Sequence, residues 1–419
     1  MSKKHAFISS LVRFFSKTSN VFVLESQMDH HPASKKTFFA ASPVITFNAK
    51  GNNITINKNG KETKYKGNPW DALEKFRDQN KEWCFGFISY DLKNYTELLY
   101  STNKELIEVP DIFFFVPKIL VEINSEKDFI VHKGRIPEDL RKSEFRGRIK
   151  LEKSKQILKT DYFEKIAKAK HLINEGEIYE VNISHPIEFN FEGNPWDLYQ
   201  DMRLVGPVPF GAYITCGDLQ ICSSSPERFI SRKGNKISSQ PIKGTISRDK
   251  ENDEKTKNKL INSEKDKAEN LMIVDLVRND LNKIAKKNSV VVSKLFEIQT
   301  FETIHQMVST IEAESNQSSS SIDILKACFP MGSMTGAPKI AAMKAIEEIE
   351  DYKRGIYSGA IGYFTPEDDF DFSVVIRTAI IKNEKLIFPV GGAITSDSNP
   401  EEEWNETLLK AKAITNLIN

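Results

Sequence analysis

The sequence predicts an α+β fold made mainly of antiparallel sheets. Three observations lead there. Short β-branched and aromatic segments recur along the whole chain. Helical segments fall between them without the steady strand–helix alternation of a doubly wound parallel sheet. Apolar residues make up 39% and charged residues 28% of the 419, which fills a core and still coats it. The length suits two or three domains of about 150 residues each, or one large intertwined unit.

The first 20 residues carry four basic and no acidic side chains. Arg13 interrupts their apolar part and no small-residue cleavage site follows, so a secretory signal is not expected; the composition only imitates a transit peptide. Val21-Phe22-Val23-Leu24, Ile45-Thr46-Phe47 and Asn53-Ile54-Thr55-Ile56 read as strands. In Gly67-Asn68-Pro69-Trp70-Asp71, Asn68 predicts a helix cap and Pro69 suits the first turn. The pentapeptide recurs at Gly193-Asn194-Pro195-Trp196-Asp197, which reads as a reused cap. Strands are expected from Cys84 to Tyr90 and from Ile112 to Ile123. Residues 124–155 are rich in charge and poor in apolar periodicity, so they read as a linker. That places a boundary near 150, with one unit over 1–150 and a second over 151–419.

Phe163, Ile166, Ala167, Ala169 and Ile173 predict a helix from Asp161 to Glu175. Strands follow at Tyr179 to Ile183, Phe210 to Thr215, Leu219 to Cys222 and Phe229 to Arg232. The charged stretch from Arg248 to Lys267 reads as a solvated helix or loop. Ser318 to Ser321 reads as a surface loop.

Composition also removes whole classes of function. Lys plus Arg number 59 and Asp plus Glu 58, a net charge of +1, so a global electrostatic grip on nucleic acid is not expected. The greasiest stretch, Ile112 to Leu120, is short and broken by Pro117 and Lys118, far from the roughly 20 apolar residues of a membrane helix. Cys84, Cys216, Cys222 and Cys328 form no CxxC pair and no zinc spacing. They read as buried free thiols in a reducing compartment.

Two carboxylate pairs carry the chemistry. Asp266 and Glu269 stand three apart before an apolar run, so a helix points both one way. Asp397-Ser398-Asn399-Pro400 starts another helix, which lines up Glu403, Glu406 and Lys410 on one face. Alone, either face is an ordinary solvated one, since acids near a helix start oppose the macrodipole and Glu406 with Lys410 is a common surface pair. If the two faces meet, they offer oxygen ligands to Mg²⁺. The turn at 332–339 lacks the spacing of a nucleotide loop, and Pro338 removes an amide donor. Thr335 and the helix-start amides there suit some other anion. Val390-Gly391-Gly392-Ala393 lets backbone approach a ligand.

Taken together, these segments resemble the chorismate-utilising family, which includes component I of anthranilate synthase and of aminodeoxychorismate synthase, isochorismate synthase and salicylate synthase. The resemblance covers about residues 160–415. Its motifs are Ser224-Ser225-Pro226-Glu227-Arg228-Phe229, Pro241-Ile242-Lys243-Gly244-Thr245, Glu269-Asn270-Leu271-Met272-Ile273-Val274-Asp275-Leu276 and Arg278-Asn279-Asp280-Leu281. Thr335-Gly336-Ala337-Pro338-Lys339, Tyr357-Ser358-Gly359-Ala360-Ile361-Gly362-Tyr363, Ile376-Arg377-Thr378 and the stretch from Gly391 to Lys410 continue the series. Phe22 to Ser26 and Gly86 to Asp91 match more weakly. The resemblance implies an anthranilate synthase component I-like fold, with antiparallel sheets packed as a sandwich and flanking helices. Residues 1–150 would form the N-terminal subdomain and 151–419 the chorismate-binding catalytic domain.

Lys243 points within the family to the branch that makes aminodeoxychorismate on the route to 4-aminobenzoate and folate. The anthranilate formers usually carry alanine there and are the near alternative; a non-catalytic chorismate-binding subunit is a more distant one. The resemblance implies that Lys243 attacks C2 of chorismate and displaces the C4 hydroxyl, after which ammonia adds at C4 and expels the lysine. An attacking lysine must be unprotonated, so burial or a nearby cation is expected to lower its pKa. Glu227 matches the general acid, a role that requires a raised pKa. Glu269 and Glu406 match direct Mg²⁺ ligands, and Asp266 and Glu403 match supporting acids. The ion would neutralise the ring carboxylate of chorismate. Tyr357 and Arg377 match residues that hold the enolpyruvyl carboxylate, which a guanidinium binds bidentately. Thr245, the Gly391-Gly392 backbone and Lys410 match further substrate contacts.

Three positions depart from the family pattern. Gln306 stands where a His usually precedes Ser309 by three, with His305 next door; a chain that keeps the enolpyruvyl group does not need that His. Glu180 stands where the water-using members carry a lysine base, which argues against isochorismate formation. Ala393 replaces a common glycine. No cysteine sits in a nucleophile turn with a downstream His, so ammonia is expected from a separate glutamine amidotransferase subunit or from free ammonium. A cytoplasmic location is expected.

Overall fold

The computed structural model of the chain describes residues 3–28, 36–124, 128–138, 140, 147–249, 251–301 and 304–418. Helix α1 (Lys3–Phe15) leads into strands β1 (Val21–Glu25), β2 (Phe38–Lys50), β3 (Asn53–Lys58) and β4 (Lys61–Lys66). Helix α2 (Pro69–Gln79), β5 (Cys84–Ile88), β6 (Ile112–Ile123), β7 (Phe129–Lys133) and β8 (Lys150–Gln156) follow. Then come α3 (Lys159–Asn174), β9 (Glu180–Glu192), α4 (Pro195–Val205), β10 (Phe210–Cys216), β11 (Leu219–Ser225) and β12 (Arg228–Lys233). Strands β13 (Lys236–Gln240) and β14 (Ile242–Ser247) precede α5 (Asp253–Ile261), α6 (Glu264–Asn282), β15 (Val291–Thr300) and β16 (Ile304–Glu314). Helix α7 (Ser321–Cys328), the short β17 (Gly336–Ala337) and α8 (Lys339–Ile349) lead to β18 (Ala360–Phe364), β19 (Phe370–Val374), β20 (Thr378–Lys382) and β21 (Lys385–Ile394). Helix α9 (Pro400–Thr415) closes the order.

The described strands join one hydrogen-bonded network, and every pairing between them is antiparallel. The expected α+β class with antiparallel sheets is therefore the observed one. Ladders also run across position 150: β1 pairs with β10, with Phe22 opposite Ile214, and β5 pairs with β18, with Gly86 opposite Gly362. At Gly86 a Cβ would stand 2.1 Å from the Phe113 carbonyl oxygen, so only glycine lets β5 close up on β6.

The network folds over on itself around an interior made of strand residues, including Phe22, Phe38, Phe85, Phe87, Phe113, Phe115, Ile221 and Ile380. That is sheet packed on sheet. Helices cover the outer faces. Helices α2, α6 and α7 pack on one cluster, α1, α4 and α9 on a second, and α3 and α8 with Trp404 of α9 on a third.

Two sequence expectations need correction. The supposed linker carries strands at both ends of its described part: β7 pairs with β6 and β8 with β9. Their side chains are mostly exposed, and β8 is an edge strand with three lysines among its seven residues, so it shows no half-buried alternation. Residues 125–127, 139 and 141–146 of that stretch lie outside the described residues. The serine run is not a plain loop, because Ser320 caps α7 in a capping box with Asp323 and Ser321 is buried. The basic N-terminal segment forms a core helix, with Ile8, Leu11 and Val12 buried, Arg13 2.6 Å from Asp197 and His5 3.1 Å from Glu25.

The caps follow the sequence. Asn68, Asn194 and Asn399 accept backbone N–H groups at the starts of α2, α4 and α9, each followed by proline. All four cysteines are free, and three are buried. Burial pushes the Cys84 and Cys328 thiols up to about 12. Among the described residues no helix is long and apolar enough to cross a membrane.

The Asn399 cap holds the start of the helix that carries Glu403 and Glu406. Asn399→Ala should destabilise the protein by about 1 kcal/mol, read as a lower urea midpoint with an unchanged slope.

Candidate active site

Two carboxylate-bearing helices approach each other beside β14 and β21. Helix α6 starts at Ser263, whose Oγ accepts the Asp266 N–H at 3.3 Å, and it packs on β14 and β16. Three residues on from Asp266, Glu269 is buried. Helix α9 lies on β21. Its Glu403 is buried and accepts a hydrogen bond from Ser398 Oγ at 2.8 Å. Lys410 reaches Glu406 Oε1 at 2.6 Å and donates to the Gly391 carbonyl at 2.7 Å. A Cβ on Gly392 would stand 3.2 Å from Glu403 Oε2 and 3.7 Å from Glu406 Oε1, so a glycine there leaves room for both carboxylates. The Lys265 ammonium lies 3.6 Å from Glu403 and 3.9 Å from Glu269, which joins the two helices.

The expected meeting of the two faces is therefore present for Glu269, Glu403 and Glu406. Asp266 lies instead along the Gly244 backbone, 3.0 Å from where a Cβ would be. Burial raises Glu269 to about 7 against the opposing charge of Lys243. Burial and the Glu406 charge raise Glu403, while Lys410 lowers Glu406. Among the described residues no three His, Cys, Asp or Glu side chains converge tightly enough to enclose a metal. Mg²⁺ does not need such a cage, because it keeps several waters and takes one or two carboxylates plus substrate oxygens. Glu269 Oε1 is buried and has no hydrogen-bond partner, so the donor set suits that ion.

Lys243 sits on β14, where the ladder with β16 slips between Ile242 and Thr245. Gly244 takes φ +86° at the slip. Such a bulge re-aims one side chain, and here it turns Lys243 inward to donate to Glu180 Oε1 at 2.5 Å. Lys243 is 9% and Glu180 1% exposed, which excludes a surface lysine. The expected lowering of its pKa is not found. Burial does act that way, but Glu180, Glu269 and Glu406 outweigh it, and the net direction is up. Carboxylates win here because three of them face one ammonium.

Glu227 agrees with its expected character. Burial raises it to about 7, against the Ser333 hydrogen bond at 2.7 Å and the charges of Lys243 and Lys410. Arg228 does not pair with it, but holds Asp371 through two bonds of 2.9 Å. The Arg377 guanidinium has no hydrogen-bond or ion-pair partner among the described residues, feels the Glu227 charge, and is lowered mainly by burial. Its backbone sits at φ +50°, a conformation that costs free energy and recurs at functional sites. Tyr357 is buried, with the Arg354 guanidinium 5.9 Å from its ring. Thr245 Oγ1 accepts from Gln306 Nε2 at 3.3 Å.

Strand alternation explains the Gln306 departure. His305 points the other way, to Thr300 and Asp253, so Gln306 alone of the two faces Thr245. Thr335 is no anion ligand, because its hydroxyl bonds the Met331 and Gly332 carbonyls and the turn becomes β17 on β9.

Buried atoms without partners gather beside these groups. Glu180 Oε2, Asn182 Oδ1, Ser224 Oγ, Glu269 Oε1 and Gln306 Oε1 all lack a hydrogen bond. Such atoms are rare in a native interior and mark a place where a polar ligand belongs. Sequence reasoning missed the frame around them. Arg354 and Glu350 form a buried pair at 2.6 Å, and Arg354 also donates to the Met334 and Asn182 carbonyls. No sequence signal separates such a pair from an i,i+4 surface pair. Lys265 had one, its spacing of four from Glu269, but that spacing is equally common on surfaces.

The family described as chorismate binding enzyme matches residues 21–416. The protein named aminodeoxychorismate synthase component 1 in Escherichia coli (strain K12) is 31% identical over 427 aligned residues, which cover 96% of this chain and 94% of that one. A Streptomyces griseus protein named aminodeoxychorismate synthase is 44% identical over 250 residues. That match covers 59% of this chain and 34% of the longer relative, so the chain spans about a third of its length. The crystal structure of anthranilate synthase component I from Streptococcus pneumoniae TIGR4 shares the fold at TM-score 0.80 and 28% identity, over 93% of each chain.

Removing one partner of the buried pair leaves an uncompensated charge. Glu350→Ala should destabilise the protein by about 3–5 kcal/mol in urea unfolding, whereas a surface pair would give less than about 1.

Proposed function

The chain belongs to the chorismate-binding enzyme family, and on that premise we propose that it aminates chorismate to 4-amino-4-deoxychorismate. The observation that carries the reading is the buried Lys243, 2.5 Å from Glu180 and within charge reach of Glu227, Glu269 and Glu406. A lysine in that place is a nucleophile in waiting, and a carboxyl that titrates near 7 is an acid matched to a poor leaving group.

The residues divide the work. The lysine proton has an acceptor in Glu180. The freed Lys243 amine forms a bond to C2 of chorismate, both conjugated ring double bonds shift (C1=C2 to C1=C6 and C5=C6 to C4=C5), and the C4–O bond breaks. Glu227 donates a proton to the departing hydroxyl, which leaves as water. Ammonia then adds at C4, both double bonds shift back, the C2–N bond breaks, and Lys243 leaves as the neutral amine. Arg377 binds the enolpyruvyl carboxylate through its open guanidinium, with Tyr357, Thr245, Lys410 and the Gly391-Gly392 backbone as further contacts. Glu269 and Glu406 would hold Mg²⁺, with Asp266 and Glu403 supporting. When bound, the ion supplies positive charge for the ring carboxylate and for the acids around Lys243.

Ammonia comes from a glutamine amidotransferase subunit, and the product feeds 4-aminobenzoate and folate synthesis. Four free thiols fit a cytoplasmic setting. Residues 1–150 form the supporting subdomain and 151–419 the chorismate-binding domain. Gln306 fits a product that keeps its enolpyruvyl group.

Purified protein with chorismate, Mg²⁺ and ammonium, read by mass spectrometry, should give a product that keeps the enolpyruvyl group. Anthranilate with released pyruvate would overturn the reading. Lys243→Ala should lower turnover at least about a hundredfold without unfolding the protein. Glu227 adds a pH test. Its folded pKa of about 7 lies above the ordinary 4.5. Its contribution to stability is full below about 4.5 and is lost as pH rises through about 7. Between about pH 4.5 and 8, Glu227→Gln should therefore lose about 3 kcal/mol less stability than the unsubstituted protein in urea titrations.

A further inference from the structure

The carboxylate cluster already contains a cation of its own. Lys265, the second residue of α6, places its ammonium 3.6 Å from Glu403 Oε1 and 3.9 Å from Glu269 Oε1. Glu406 also feels its charge. Lys410 and Lys243 are committed elsewhere, to Glu406 with the Gly391 carbonyl and to Glu180. Lys265 is therefore the ammonium that bridges α6 and α9 at Glu269 and Glu403.

The geometry shows a neutraliser that does not close the site. At 3.9 Å the ammonium is too far to hydrogen-bond Glu269 Oε1, and that buried oxygen has no hydrogen-bond partner. Its side chain is 47% exposed, so the long stem has an open path into solvent. A divalent ion would bring two charges and bond the oxygens at about 2.1 Å. It cannot share that position with an ammonium without strong repulsion.

We propose that Lys265 is a resident counter-ion of the carboxylate cluster, which holds α6 and α9 together without metal and must swing out when a divalent cation binds. Lys265 thereby sets the metal affinity. The inference rests on the Mg²⁺ reading of Glu269 and Glu406, and the test separates the two.

Two readings without substrate suffice: Mg²⁺ titration by calorimetry at low ionic strength, and the melting temperature in EDTA. Lys265→Met should bind Mg²⁺ about fivefold more tightly, because a half-exposed like charge has been removed. The same variant should melt lower in EDTA, because the acids then repel each other unscreened. Lys265→Arg keeps the charge and should stay close to the unsubstituted protein. Lys267→Met is the control, since Lys267 pairs with Glu264 outside the cluster. If the unsubstituted protein binds Mg²⁺ and Lys265→Met binds it equally or more weakly, the counter-ion role is overturned and the metal reading stands. If no variant binds Mg²⁺, both are overturned. If Lys265→Met folds poorly, Lys265→Gln provides the same charge change with a polar end.

Discussion

The site depends on holding acids close together inside a folded protein. Glu180, Glu269 and Glu403 are buried, and Glu406 reaches toward them from a half-exposed position on α9; burial raises Glu269 and Glu403, as it does any carboxylate taken out of water. Three lysines offset them, each in its own way. Lys243 is locked to Glu180, Lys410 is tied to Glu406 and a backbone carbonyl, and Lys265 stands off from two acids at once. The acids in turn keep Lys243 protonated. A nucleophile in that state is stored rather than ready. Whatever neutralises the acids also arms the lysine, which ties binding to reactivity through charge alone.

The frame around this cluster is built to hold it still. Glu403 rests on Ser398, Glu227 on Ser333, and Arg354 ties the carbonyls of Met334 and Asn182 together. Against that rigid background the partnerless atoms stand out, and so does the positive φ of Arg377. These features are unfavourable for folding by themselves. The large apolar interior between the sheet layers offsets them.

Much of this was legible in the sequence, for physical reasons. Strand class followed from β-branched segments, and the three Asn-Pro helix starts were readable because capping is a local interaction. The Glu269 and Glu406 faces followed from helical spacing. What the sequence hid was decided by contacts far along the chain. Strands β7 and β8 are mostly exposed, β8 with three lysines and β7 as a short apolar segment inside a charged stretch, so their pairing partners define them. The sign of the Lys243 shift could not be read, because Glu180 lies 63 positions away and the bulge that joins them comes from a register slip. Arg354 and Glu350 stand four apart, a spacing common on surfaces, and only their burial marks them as a structural pair.

The central claim is that Lys243 bonds to the substrate ring. Withholding ammonium stops the sequence after that bond forms. Protein incubated with chorismate and Mg²⁺ alone, quenched, digested and read by tandem mass spectrometry, should carry the mass of chorismate less water on Lys243. An unmodified Lys243 in protein that aminates chorismate once ammonium is added would contradict the account.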